Sequence, residues 1–190
     1  MKINRHINKV AVVGSGIMGS RIACHFANIG VEVLLLDIVP FDLTKEQLKD
    51  KTIRNSIVND ALKSTLKSKP SPIYSKEFSS RITTGNLEDD LHKIADTDWI
   101  IEVVVERLDI KKQVFEKIEK FRTNGTLISS NTSGIPIESM IEGRSDDFKA
   151  HFCGTHFFNP PRYLKLLEII PTTKTKSEVT DFLMSYGDKF

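Results

Sequence analysis

The sequence predicts an α/β fold: a Rossmann-type, doubly wound and mostly parallel sheet carrying an inserted two-helix arm. Three observations point there. Short β-branched runs alternate with stretches of helical periodicity, the pattern of a parallel sheet covered on both faces. The first run stops at a cluster of glycines that opens a helix, and the second ends in an acidic residue. The balance of 39% hydrophobic and 27% charged residues is ordinary for a globular chain, and residues 1–190 suit one domain with a sizeable core.

Residues 10–13 are the first strand, stopping at Gly14 as a buried parallel strand does. Met18, Ile22, Phe26 and Ile29 follow at helical spacing, and Gly30 sits where a helix-ending glycine belongs. Residues 31–36 are the second strand. Between about 42 and 69, Leu43, Leu48, Ile53, Ile57, Leu62 and Leu66 lie among polar residues and predict two amphipathic helices, closed by Pro70 and Pro72. Residues 81–84 and the strongly apolar 98–105 are further strands. A helix with Asp109 as its N-cap turns Val114, Ile118 and Phe121 inward and pairs Glu116 with Lys120. Residues 126–129 form the next strand, and Pro136 suits the first position of a short helix. Residues 152–157 and 165–170 read as two strands around a Pro-containing turn, in an antiparallel register that sets His156 across from Leu166. Residues 178–186 are helical. A doubly wound domain normally sends another strand back into the sheet at this point, so the chain reads as C-terminally truncated.

Composition narrows the function classes. With 27 basic and 25 acidic residues the net charge is +2, which creates no field that would select nucleic acid or an anionic membrane. Cys24 and Cys153 are too few for a disulfide framework and read as buried thiols in a reducing compartment. No apolar stretch approaches the roughly 20 residues of a membrane helix, and residues 1–9 lack the apolar run of a signal peptide. A cytoplasmic location is expected. His151 and His156 would face opposite sides of one strand, so no metal site is expected.

Gly14-Ser15-Gly16-Ile17-Met18-Gly19 fits G-x-G-x-x-G, a weak pattern alone. Here it follows a strand, opens a helix, and precedes a second strand ending in Asp37, 18 residues after Gly19. That context is the dinucleotide-binding one. Gly14 makes the tight turn, Gly16 lets backbone approach a pyrophosphate, and Gly19 lets the helix pack on the strand. Unpaired N–H groups at the helix start attract the phosphates. Asp37 would accept hydrogen bonds from ribose hydroxyls and repel a 2′-phosphate, favouring NAD over NADP.

Three more strings follow in order: Ile101-Glu102-Val103-Val104-Val105-Glu106, Ser129-Ser130-Asn131-Thr132-Ser133 and His156-Phe157-Phe158-Asn159-Pro160. With the glycine loop they resemble the L-3-hydroxyacyl-CoA dehydrogenase family over nearly the whole chain. Residues 142–170 look especially like the fused bacterial fatty-acid β-oxidation enzymes, in which this dehydrogenase precedes an enoyl-CoA hydratase module. The resemblance implies oxidation of an acyl-CoA substrate, L-3-hydroxyacyl-CoA, with NAD as cofactor. It implies His156 as catalytic base, Glu168 as the carboxylate paired with it, and Ser133 as a contact to substrate and cofactor. Asn159 falls near the nicotinamide, and Glu106 and Lys111 at cofactor contacts beside Gly14, Gly16, Ile17, Met18, Gly19 and Asp37. Residues 42–69 correspond to a protruding arm that touches coenzyme A, with Lys63, Lys67 and Lys69 as candidate partners of its acidic ADP part. An asparagine beyond position 190 and a dimerising helical domain lie outside the chain. The parent is therefore expected to be a dimer or part of a multi-enzyme complex, and the domain alone to be inactive.

Other readings stay beside these. Asn131, Thr132 and Ser133 also suit a strand end and a helix cap, Glu102 reads as structural, and the three lysines also fit a solvated helix face. Where the family usually has another glycine this chain has Arg21. With Cys24, His25 and Asn28 it forms one helical stripe, read as the polar outer face, against a sharper reading as an extra cation near the cofactor. A superfamily dehydrogenase for a free hydroxy or sugar acid, or a non-catalytic NAD-binding module, are the alternative functions.

Overall fold

Side chains alternate across a strand, so a sheet buried on both faces needs two apolar covers. In the computed structural model, which describes residues 5–189, seven strands form one sheet. They are β1 (Lys9–Val13), β2 (Glu32–Asp37), β3 (Ile82–Asn86), β4 (Trp99–Glu102), β5 (Leu127–Ser130), β6 (Phe152–Phe157) and β7 (Leu167–Pro171). The spatial order is β3-β2-β1-β4-β5-β6-β7, with every pairing parallel except the antiparallel β6–β7. The helices are α1 (Ile17–Asn28), α2 (Lys51–Arg54), α3 (Ser56–Lys67), α4 (Leu108–Phe121), α5 (Asp146–Ala150) and α6 (Ser177–Gly187). Val10 and Val12 of β1 pack with Ile22 and Phe26 of α1, Val58 of α3 and Leu183 of α6. Ala11 and Val13 look the other way, toward Phe115 and Ile118 of α4 and Phe148 of α5. Both faces of the sheet are covered.

Three of the differences from the sequence expectation bear on the site. β4 stops at Glu102 rather than Val105, because the Val104 N–H donates to the Glu102 carboxylate at 2.7 Å and leaves the ladder. Arg107, not Asp109, occupies the cap of α4, and Asp109 lies in the first turn, where a carboxylate favours the helix dipole. β7 begins at Leu167, so Glu168 lies directly opposite His156 rather than diagonal to it. The turn is longer than expected. Tyr163 and Leu164 N–H both donate to the Pro160 carbonyl, while the Arg162 guanidinium donates to the Ser71 and Ile73 carbonyls. The shift is an even number of residues, so Glu168 keeps the face the sequence assigned to it.

The two-helix arm needs a larger correction. One turn of helix, α2, leads into the twelve-residue α3, and α3 packs on the sheet rather than projecting from it. Val58, Leu62 and Leu66 recur every fourth residue and lie against the core, which gives the helix an apolar seat. Polar ties add to it. Asn86 Nδ2 donates to Asn55 Oδ1 at 2.7 Å, Thr84 Oγ1 donates to Asn59 Oδ1 at 2.7 Å, and Arg54 forks onto Asp89.

From β3 the chain crosses back over β1 to form β4 on its other side. Ligands of open α/β sheets bind in the crevice that such a reversal leaves at the strands' carboxyl ends. Gly14 makes the turn there with φ +105°, in a conformation side chains rarely adopt. A Cβ on Gly19 would lie 1.8 Å from the Gly14 carbonyl oxygen, whereas a Cβ on Gly16 would meet nothing within 4 Å. Gly19→Ala is therefore expected to cost about 1–3 kcal/mol through overpacking, a fall of several degrees in the unfolding midpoint. Gly16→Ala should melt close to the unmodified chain. Equal midpoints for all three proteins in a thermal scan would contradict the close approach of helix and turn.

Candidate functional site

The crevice is floored by the glycine loop and walled by the ends of β2 and β4. Asp37 closes β2, and its Oδ2 accepts hydrogen bonds from Ser15 N at 2.6 Å and Ser15 Oγ at 2.5 Å, while Oδ1 accepts from Ile38 N at 2.7 Å. The carboxylate is thus turned toward the loop and retains lone pairs for hydroxyl donors. Ile17, Ile38, Phe41 and Val105 are exposed around this end of the sheet, offering apolar contact to a flat ring.

A buried ion pair holds the wall in place. Glu102 has no solvent exposure and receives Lys111 Nζ at 2.8 Å, with Ser130 Oγ at 2.5 Å on its other oxygen. Burial pushes the Glu102 carboxyl above its ordinary range, opposed by Lys111, Ser130 and the Val104 N–H. Lys111 also lies 3.3 Å from Glu106 Oε2 and 3.4 Å from the Val104 carbonyl. Glu106 in turn accepts from the Thr132 hydroxyl, from Ser133 N at 3.1 Å and from Gly134 N at 3.3 Å. Burial alone would raise Glu106; the Thr132 hydroxyl, Lys111 and the Gly134 N–H outweigh it and hold the carboxyl below its ordinary value. The three donors of Lys111 are directed at Glu102, Glu106 and Val104, so Lys111 reaches the crevice through these groups. Ser133 itself is exposed at the crevice, with its backbone held by Glu106.

At the end of β6, His156 Nδ1 lies 2.8 Å from Glu168 Oε2. A carboxylate can only accept, so Nδ1 carries a proton, and in the neutral ring Nε2 is the nitrogen with the lone pair. Phe158 tilts against the imidazole, ring centroids 4.5 Å apart. Asn131 Oδ1 accepts from Phe157 N at 2.8 Å, which ties the end of β5 to the end of β6 beside the histidine. β6 runs parallel to β5, so the His156–Glu168 pair sits at the same carboxyl edge as the glycine loop. The turn after β6 is tied to α1, for Asn159 Oδ1 accepts from Arg21 Nη1 at 2.5 Å. The α1 stripe is therefore not an outer polar face. His25 packs edge-on to Phe157 at 6.4 Å, and Asn28 exchanges hydrogen bonds with Pro72 O and Tyr74 N.

Lys63, Lys67 and Lys69 are exposed at the end of α3 and its following turn. A cavity of about 500 Å³ lies at the opposite edge of the sheet, lined by Lys9, Glu32, Arg81, Lys93 and Asp96. Its charges are largely matched in place, Lys9 by Asp96 and Lys93 by Asp90, each at 2.6 Å, so it offers no convergent unpaired group. Burial pushes the Cys24 and Cys153 thiols up to about 12, the former slightly opposed by Arg21, which makes both poor nucleophiles. Among the described residues no group of His, Cys, Asp and Glu could hold a metal ion, and no helix is long and apolar enough to cross a membrane.

A family model described as 3-hydroxyacyl-CoA dehydrogenase, NAD binding domain, matches residues 9–190. The chain belongs to this family. A protein of Bacillus subtilis (strain 168) named a probable 3-hydroxyacyl-CoA dehydrogenase is 55% identical over 98% of the chain, which spans 24% of that protein. A protein of Rickettsia felis named as a fatty acid oxidation complex trifunctional enzyme is 43% identical, with 98% of this chain and 25% of that protein covered. Among solved structures, a 3-hydroxybutyryl-CoA dehydrogenase of Escherichia coli K12 superposes with a TM-score of 0.71 at 28% identity, covering 96% of this chain and 36% of that one. The chain thus spans about a quarter to a third of these relatives' lengths.

In this NAD-binding domain the sequence reading preferred an outer polar face for Arg21 over a place near the cofactor, and missed its bond to Asn159 and the role of the Asn131 carboxamide. It also assigned Glu106 and Lys111 to the cofactor without seeing that they brace one another. The spacing of Glu102, Glu106 and Lys111 held the signal, since an apolar strand end carrying two carboxylates needs a cation nearby. Lys111→Met tests the brace by leaving Glu102 buried without a cation, expected to cost about 3–5 kcal/mol at neutral pH. The carboxyl would then hold its proton in the folded state to higher pH than in the unfolded chain, where it ionises near about 4.3. Stability of the variant should fall as pH rises from that value through the folded-state pKa, so the deficit in urea unfolding should be smallest in acid. A deficit that is absent at pH 7, or unchanged down to pH 4, would contradict this.

Proposed function

We propose that the protein containing this domain oxidises an L-3-hydroxyacyl-CoA to the 3-oxoacyl-CoA, with NAD as hydride acceptor. The observation that carries the reading is the His156–Glu168 contact at 2.8 Å, which leaves Nε2 free at the carboxyl edge of the sheet. His156 Nε2 takes the proton of the substrate hydroxyl as general base, and Glu168 fixes the ring's tautomer and stabilises the imidazolium that forms. Ser133, exposed beside the crevice, holds the substrate oxygen against the reacting centre. Bound NAD supplies the acceptor for the hydride. The open space above Gly16, the N–H groups opening α1 and the oriented Asp37 carboxylate suit its pyrophosphate and adenosine ribose. Asn159 contacts the nicotinamide end. Lys63, Lys67 and Lys69 meet the acidic ADP part of coenzyme A from α3 and its following turn, reached across the surface rather than from a free-standing arm. The length and name of the Rickettsia relative support a parent in which this domain is one module of a multi-enzyme protein.

Calorimetry on the chain should give tighter binding of NAD than of NADP, and Asp37→Ala should narrow the gap. Equal affinity for both cofactors in the unmodified chain would refute the ribose assignment. In the full-length parent, His156→Ala should lower kcat by about 10²–10⁴-fold, and Glu168→Gln by less, with small effects on NAD affinity. A parent that turns over 3-hydroxyacyl-CoA unchanged after both substitutions would leave the acid–base reading without support.

A further inference from the structure

Arg21 on α1 and Asn159 after β6 are 138 residues apart in sequence and joined by a 2.5 Å hydrogen bond from Nη1 to Oδ1. A guanidinium carries donors only. It can satisfy the oxygen end of a carboxamide and cannot satisfy the nitrogen end. Arg21 therefore sets the flip of the Asn159 side chain, with Oδ1 toward α1 and Nδ2 turned away. Asn159 is exposed, and Nδ2 has no protein partner among the described residues.

We propose that Arg21 is a positioning residue that holds Asn159 as a pure hydrogen-bond donor to the carbonyl oxygen of the nicotinamide carboxamide. This rests on the reading of Asn159 as the nicotinamide contact. An unrestrained asparagine presents either an acceptor or a donor at little cost, and the nicotinamide carboxamide has both an oxygen and an amino group to match it. Fixing the flip removes one of the two pairings and with it one orientation of the bound group. The contact is not needed to hold the turn itself. Arg162 donates to the Ser71 and Ile73 carbonyls at 2.7 and 3.0 Å, Tyr163 Oη donates to Ser71 O at 3.0 Å, and Phe157 N is held by Asn131. The α1 helix that opens on the phosphates thereby also orients the group at the other end of the cofactor.

The test compares two ligands on the 190-residue chain by calorimetry: NAD, and ADP-ribose, which lacks only the nicotinamide. Arg21→Met should weaken NAD about three- to tenfold, the cost of ordering a freed side chain on binding, and leave ADP-ribose within about twofold. Arg21→Lys, another donor-only side chain, should recover most of the loss. Asn159→Asp keeps an oxygen for Arg21 but has no N–H to offer, so it should weaken NAD at least as much as Arg21→Met does. Equal weakening of both ligands by Arg21→Met would assign the arginine to the diphosphate or to the fold and overturn the proposal. A chain that binds both ligands and ignores Arg21→Met would overturn this assignment alone. A chain that binds neither would overturn the dinucleotide reading beneath it as well.

Discussion

A carboxylate with no access to water ends the central strand β4, and the crevice is arranged around the need to satisfy it. Glu102 draws Lys111 inward from α4, takes the Ser130 hydroxyl from β5, and captures the Val104 N–H so that the strand stops and the chain turns outward. Its backbone carbonyl accepts from Asn131 N, which extends the same anchor into the loop after β5. Lys111 carries the connection on to Glu106, and Glu106 gathers the Thr132–Gly134 backbone. An uncompensated charge at this depth would cost several kcal/mol, so the surrounding loops have little freedom to move independently. The rigidity of the crevice wall follows from that one desolvated group.

Strands and layers were legible because a sheet buried on both faces demands uninterrupted apolar runs, and segments such as Trp99–Ile101 are that. The glycine loop was legible from spacing, since each glycine answers a local steric demand: Gly14 its positive φ, Gly19 its contact with the Gly14 carbonyl. The His156–Glu168 pair was named through family resemblance, and its face followed from the period of the strand. Its register did not, because the length of the turn depends on Arg162 reaching carbonyls some 90 positions earlier in the chain. The helical segment at 42–69 shows the same division. Periodicity finds the helices, but that α3 lies down on the sheet is decided by tertiary contacts: the seat of Val58, Leu62 and Leu66 on the core, and the pairing of Asn55 with Asn86 and Asn59 with Thr84.

Polar residues on one side of a helix are commonly taken for its solvent face. On α1 that inference fails because the surface opposite is itself polar: two proline-containing turns whose carbonyls and amides need partners. Asn28 meets the 72–74 turn and Arg21 meets Asn159 after β6, while Cys24 and His25 fill the space between. A helix can thus show an amphipathic pattern while both of its sides are in contact with protein. Period alone does not distinguish water from loop as the neighbour of a polar stripe.

The antiparallel β6–β7 pairing separates two kinds of assembly within one domain. His156 and Glu168 are 12 residues apart, so this hydrogen-bonded pair closes within a single hairpin. The nucleotide crevice closes only when β4 docks beside β1, joining Val10 to Trp99 across 89 residues of chain. Loop-closure entropy makes the second event dearer by about 2 kcal/mol at equal contact strength. The His156–Glu168 pair is thus a short unit, close in sequence, set against a long-range scaffold. Its spacing can change with the length of that one turn and its Arg162 anchor, while the crossover from β3 to β4 stays as it is.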